Sequence, residues 1–180
     1  MPKPKVATVW LEGCSGCHMS FLDLDEALLS LLKEVELTVS PVTDFKNYNF
    51  PPAQLGIIEG AVGNQEQMEI VRRIRSRCAV LMAWGDCAVF GGINTLRNLI
   101  PTDELLRRGF LETASTVSGG LPRHRELPVL LPKVLAVNQI VPVEVCVPGC
   151  PPSPTAIAFC LQEILADRVP KLPANMIHFD

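Results

Sequence analysis

The chain has 180 residues, 48% of them apolar and 19% charged, with sixteen Lys and Arg against nineteen Asp and Glu for a formal net charge of −3. This length suits one domain able to bury roughly 70% of the surface its unfolded form exposes, and the apolar balance implies that a partner covers part of what remains. With no basic stripe and only 6% aromatic residues, nucleic acid is not an expected ligand.

The opening MPKPKVATVW turns apolar, but the run stops at Leu11 before Glu12 and no small-residue cleavage site follows, so no signal peptide is expected. No other apolar stretch approaches the ~20 residues of a membrane helix. A cytoplasmic protein without a membrane span is the expectation. Lys5 to Leu11 reads as a buried strand ending at EGCSGCHMS. Phe21, Leu24, Leu28, Leu31 and Leu32 then recur at helical spacing, with Asp23, Asp25 and Glu26 near the helix start where they favour the dipole. Glu36 to Ser40 is a second strand, 44–52 a surface connection, and Leu55 to Ile58 a third strand.

A helix from about Asn64 to Arg77 sets Met68, Val71 and Ile74 against Arg72, Arg73 and Arg75, and the apolar strand Ala79 to Trp84 closes on GDCAVFGG. Ile93 to Ala114 reads as two short helices divided at Pro101, with Thr102 as N-cap. Ser115 to Pro132 is a long excursion of the kind that is commonly functional or partner-bound. Val143 to Val147 is the last strand, followed by PGCPPSP, a helix from Thr155 to Asp167, and an extended Pro-rich tail, 170–180. Apolar strands alternating with helices predict an α/β fold: a flavodoxin-like, doubly wound, mostly parallel sheet with helices on both faces. One domain spanning 1–180, with no internal repeat, is expected.

Seven cysteines are many for a reducing compartment, where such residues more often bind metal or do chemistry than form disulfides. Ligands of an open parallel sheet sit outside the carboxyl ends of its strands, and that rule sorts the seven. Cys14 and Cys17 follow the first strand, Cys87 lies three residues beyond Trp84, and Cys150 three beyond Val147, so four thiols from three loops meet at one rim. Cys78, Cys146 and Cys160 fall within strand or helix and read as small buried hydrophobes. Gly13, Gly16, Gly85, Gly91, Gly92 and Gly149 allow backbone amides close to sulfur, as an iron-sulfur cluster requires. Cys17 opens a helix whose dipole favours thiolate. A Cys-x-x-Cys between strand and helix is also the thioredoxin signature of a stand-alone thiol oxidoreductase. A zinc-stabilised binding domain is the other alternative, although structural zinc usually draws on two short-spaced pairs and only one is present.

The run EGCSGCHMSFLDLD, then GDCAVFGG, then PGCPPSP resembles the small subunit of cytoplasmic multimeric nickel-iron hydrogenases, most closely the NAD-reducing type, over nearly the whole chain. The resemblance implies that Cys14, Cys17, Cys87 and Cys150 ligate one 4Fe-4S cluster proximal to a nickel-iron centre on a separate large subunit. It also implies an electron relay to the iron-sulfur and flavin subunits of a diaphorase module that reduces NAD, with no catalytic residue on this chain. The related complex I subunit has adjacent cysteines at the first ligand position, where this chain spaces them by two. Respiratory and periplasmic small subunits carry a leader and further clusters, neither of which is expected here. Subunits feeding NADP, deazaflavin or heterodisulfide modules share the cysteine blocks and stand as alternatives. FMN suits such a sheet, but with no clear phosphate loop and no aromatic pair to sandwich its ring it is not favoured.

Glu12 and Glu59 are expected at the same rim; Glu12 is balanced between a role beside the centre and that of a solvated or amide-bonded loop carboxylate, while Glu59 reads more as the latter. His18 reads first as a residue of the opening helical turn, Asp86 is undecided, and the RHRE cluster, Arg123 to Glu126, reads as a solvated charge group.

Overall fold

The computed structural model describes residues 2–44 and 48–177; parts of the predicted connection at 44–52 and of the tail at 170–180 fall outside them. Strands β1 (Lys5–Trp10), β2 (Glu36–Val39), β3 (Ala53–Glu59), β5 (Cys78–Trp84) and β7 (Val145–Val147) form one sheet in the order β2-β1-β3-β5-β7, every neighbour parallel. Counting only these strands in chain order gives 2-1-3-4-5, the flavodoxin-like arrangement, whose strand order reverses between β1 and β3.

The central strands are apolar on both faces because both are covered. On one face Leu55, Ile57, Met82, Trp84 and Val147 meet Ala156, Ile157, Cys160 and Leu161 of helix α6 (Pro154–Leu165). On the other, Ala7, Val9, Ile58, Leu81 and Ala83 meet Val71 and Ile74 of helix α3 (Gln65–Arg77) and Ala88 of helix α4 (Gly85–Phe90). Val71 and Ile74 are fully buried, each worth ~1.5–3 kcal/mol relative to exposure. Asn64 caps α3, its side chain accepting the Gln67 N–H at 2.9 Å, and Ser153 caps α6 through the Ala156 N–H at 3.2 Å.

The first helix is not continuous. Helix α1 (Gly16–Leu22) and helix α2 (Glu26–Glu34) are separated at Asp25, whose φ of 51° is left-handed. The apolar periodicity nonetheless runs through the break, since Phe21 and Leu31 pack on the same core. GDCAVFGG, read as a loop, contains α4. The first of the two short helices expected after Ile93 is a 3-10 segment, Gly92–Leu99. The second is helix α5 (Thr102–Phe110), where Pro101 occupies the cap and Thr102 is the first helical residue, its Oγ1 donating instead to Pro132 O at 3.4 Å.

The long excursion ends in strand β6 (Leu130–Leu135), which pairs antiparallel with the three-residue strand β4 (Val62–Asn64) as a small second sheet. Cys78 and Cys160 are buried as expected, but Cys146 is exposed. Alternation along β7 buries Val145 and Val147 and turns Cys146 outward. No helix among the described residues is long and apolar enough to cross a membrane.

Candidate metal centre

Cys14, Cys17, Cys87 and Cys150 line one small pocket with Gly13, Gly16, Glu59, Asp86, Gly149 and Pro151, at the carboxyl ends of β1, β3, β5 and β7. The four come from the loop after β1, from the start of α1, from α4 and from the loop after β7. Cys14 and Cys150 are exposed, Cys87 is half-buried, and Cys17 is buried, its Sγ 3.7 Å from the Trp84 carbonyl.

Backbone presses against three of these sulfurs. A Cβ built on Gly85 would stand 2.3 Å from Cys17 Sγ, one on Gly92 2.8 Å from Cys87 Sγ, and one on Gly16 3.2 Å from Cys14 Sγ. Gly85 and Gly92 also hold φ values of 78° and 52°, where L side chains are strained. Among the described residues no three His, Cys, Asp or Glu side chains are gathered closely enough to hold a single ion. An all-thiolate donor set lined by glycine backbone fits a sulfur-rich polynuclear group.

The dipole argument for Cys17 is outweighed in this fold. Burial pushes its thiol well above the ordinary range, and the Glu59 carboxylate, then Cys87, Cys14 and Cys150, push it further in the same direction. Cys87 is raised by burial first, then by Cys150 and Cys14. That Cys14 and Cys150 act on both of these thiols expresses the proximity of the four, and a cationic metal group would reverse the balance.

The polar residues singled out at the rim divide. Glu59, the last residue of β3, is 2% exposed. Its Oε1 accepts the Cys17 N–H at 3.2 Å, and its Oε2 accepts the His18 N–H at 2.9 Å and the His18 Nδ1–H. His18 is 1% exposed, its ring between Trp10 and Trp84 at centroid distances of 5.6 and 5.7 Å, and its Nε2 has no hydrogen-bond partner among the described residues. Asp86 fastens the last cysteine's loop: its Oδ1 accepts the Gly149 N–H at 2.8 Å while its own N–H donates to Gly149 O at 3.0 Å.

Glu12 is half-buried at an isolated bridge to Ala61, its carboxylate against Gly63. His124 and Glu126 are exposed and 3.8 Å apart, a solvated pair. The sequence reading missed Ser20, whose Oγ donates to Pro152 O at 2.6 Å and ties α1 to the Cys150 loop. With 132 positions between the two residues, no local pattern could have shown it.

Residues 14–164 match the family described as NADH ubiquinone oxidoreductase, 20 Kd subunit. The chain is 36% identical over 181 residues to the NAD-reducing hydrogenase HoxS subunit delta of Cupriavidus necator, covering 99% of this chain and 86% of that protein. It is 38% identical over 177 residues to a subunit of the vhu F420-non-reducing hydrogenase of Methanococcus voltae, covering 97% of this chain but only 61% of that longer protein. Its fold superimposes on a chain of the crystal structure of an NAD+-reducing NiFe hydrogenase in the H2-reduced state. The TM-score is 0.95 at 37% identity, over 99% of this chain and 100% of that one. With a family match spanning most of its length and relatives aligned almost end to end, the chain belongs to the family of the 20 kDa subunit of NADH ubiquinone oxidoreductase, as a hydrogenase subunit most like that of the NAD-reducing nickel-iron type.

Proposed function

We propose that this chain is the electron-transfer small subunit of a cytoplasmic nickel-iron hydrogenase, one domain built around one 4Fe-4S cluster held by Cys14, Cys17, Cys87 and Cys150. Electrons pass through it between a nickel-iron site on a large partner subunit and the iron-sulfur and flavin subunits of a diaphorase module that reduces NAD. FMN is not favoured in this reading. The observation that carries it is the meeting of four thiols from four separate elements in one glycine-walled pocket.

When bound, such a cluster supplies one-electron chemistry. The chain's own residues do the rest. The four thiolates hold the group, the glycines at positions 16, 85 and 92 leave room for it, and Asp86 and Ser20 fix the Cys150 loop from two sides. The partner reading draws on exposed apolar side chains in the 3-10 segment that follows α4, where Ile93, Leu96 and Leu99 are 73%, 60% and 79% exposed. Within the complex an interface of the obligate class, above roughly 2,000 Å² in total, is expected.

Metal and acid-labile sulfide analysis of anaerobically purified protein tests the proposal. About four iron and four sulfide per chain are expected, together with co-purification of a large subunit. An iron-free preparation with full thiol-disulfide activity would overturn it, as would stoichiometric zinc without sulfide.

A further inference from the structure

We infer that Glu59 is the positioning residue of this centre: by accepting the Cys17 and His18 amides it fixes the Cys17 sulfur, and it holds the reduction potential of the group bound by the four thiolates below the value it would otherwise take. The inference rests on the cluster reading above and asks what this chain's residues do to such a group.

A helix normally satisfies its first amides with the side chain of its own N-cap. Ser15, the cap of α1, sits at φ 68° and makes no such bond. The amides of Cys17 and His18 are met instead by a carboxylate more than forty positions away. That carboxylate has little freedom. Its residue is paired in register with Trp10 of β1 and Trp84 of β5. The same two tryptophans flank His18, whose Nδ1 holds the second oxygen. The Cys-x-x-Cys turn is thus clamped to the middle strand of the sheet, at the point where the strand order reverses.

Two consequences follow for an electron arriving at the four sulfurs, and they have the same sign. Amide donors aimed at sulfur favour the reduced, more negative state, and here the Cys17 and His18 amides are committed to carboxylate oxygen. A buried negative charge beside Cys17 opposes a further negative charge, in surroundings that screen it weakly. One electron enters and leaves; no bond is made or broken.

The test compares wild type, Glu59→Gln and Glu59→Asp, each purified anaerobically as the complex, by iron and sulfide content and by an EPR-monitored redox titration. Glu59→Gln keeps the size and an acceptor oxygen but removes the charge. It is expected to load normally, with its midpoint raised by at least about tenfold in the reduced-to-oxidised ratio at fixed poise, about 59 mV for a one-electron couple. Glu59→Asp, which keeps the charge, is expected within about threefold of wild type on the same scale. A loaded Glu59→Gln with an unchanged midpoint overturns the inference. If Glu59→Gln loses its iron while Glu59→Asp loads, the residue acts as a structural clamp of the site and the inference is overturned. Iron loss from both variants reduces Glu59 to a structural clamp and also overturns it. A wild-type complex without iron and sulfide would instead refute the cluster reading itself.

Discussion

Replacing Gly85 by alanine places one methyl group where the fold has no room for it. The new Cβ would lie 2.3 Å from Cys17 Sγ and 3.3 Å from Gly149 O, on a residue whose φ is 78°. A left-handed alanine costs about 1–2 kcal/mol, and the overpacking adds about 1–3 kcal/mol. Their sum, roughly 2–5 kcal/mol, corresponds to a fall of roughly 4–20 °C in melting temperature for a chain of this size. Cys17 cannot yield easily, because it is 7% exposed and its amide is held by Glu59. Relieving the clash therefore requires distorting the Cys17 site, and iron content should drop with stability.

Gly109 provides the control inside the same chain. It sits within α5 with nothing within 4 Å of a built Cβ, so Gly109→Ala should stabilise by about 0.5–1 kcal/mol and leave iron untouched. Iron and sulfide analysis beside thermal unfolding reads both variants. A Gly85→Ala protein with wild-type metal content and melting temperature would refute the reasoning.

Serine at Cys14, Cys17, Cys87 or Cys150 should remove or disturb the cluster signal, since an alcohol oxygen is a poorer iron ligand than thiolate; alanine at Cys78, Cys146 or Cys160 should leave iron in place. Cluster loss on changing Cys146 but not Cys150 would contradict the strand register. Asp86→Ala removes a charged hydrogen bond to the Gly149 amide, worth about 1.5–3 kcal/mol, and should speed iron release to a chelator, while unchanged release rates would show that the Cys150 loop holds itself. Burial raises the Cys78 thiol to about 11 and the Cys160 thiol to about 12, from an ordinary 9.0. Groups with raised folded-state values stabilise fully below about pH 9 and lose that contribution as pH climbs through 11 to 12, because the unfolded chain releases its protons first. The urea midpoint of the cofactor-free protein should therefore fall across this window less steeply in the Cys78→Ala/Cys160→Ala double variant, and equal slopes would discount the two thiols.

The central parallel strands were legible in the sequence as short apolar runs with glycine or proline soon after them, the edge strand β2 as a short alternating ELTV, and the sheet rule then sorted the cysteines by which strand end they follow. What escaped has physical reasons. Strand β4 is three residues long, and the apolar β6 is interrupted by Pro132 and exposed at half of its positions, so neither reads as a buried strand. The division of α1 from α2 is invisible to periodicity because Phe21 and Leu31 keep to one core across it. Cys146 was misread because a three-residue edge strand buries alternate side chains, whereas the longer central strands bury nearly all of theirs. Glu59 was placed at the rim from sequence, but its hold on α1 depends on contacts across 41 and 42 positions.

The order in which the sheet is laid down bears on how the chain is made. β1 lies inside the sheet between β2 and β3, and β7 is its outer edge beyond β5, so the first two thiols precede in the chain the loop that walls the pocket opposite them. Gly149 O approaches Gly85, Pro152 O receives the Ser20 hydroxyl, and Cys150 itself lies between them in the chain. A nascent chain halted before residue 150 has three cysteines facing an open side, and neither tie from the closing loop. A group held by all four thiols would therefore have its full ligand set only after residue 150 and its loop have joined the pocket.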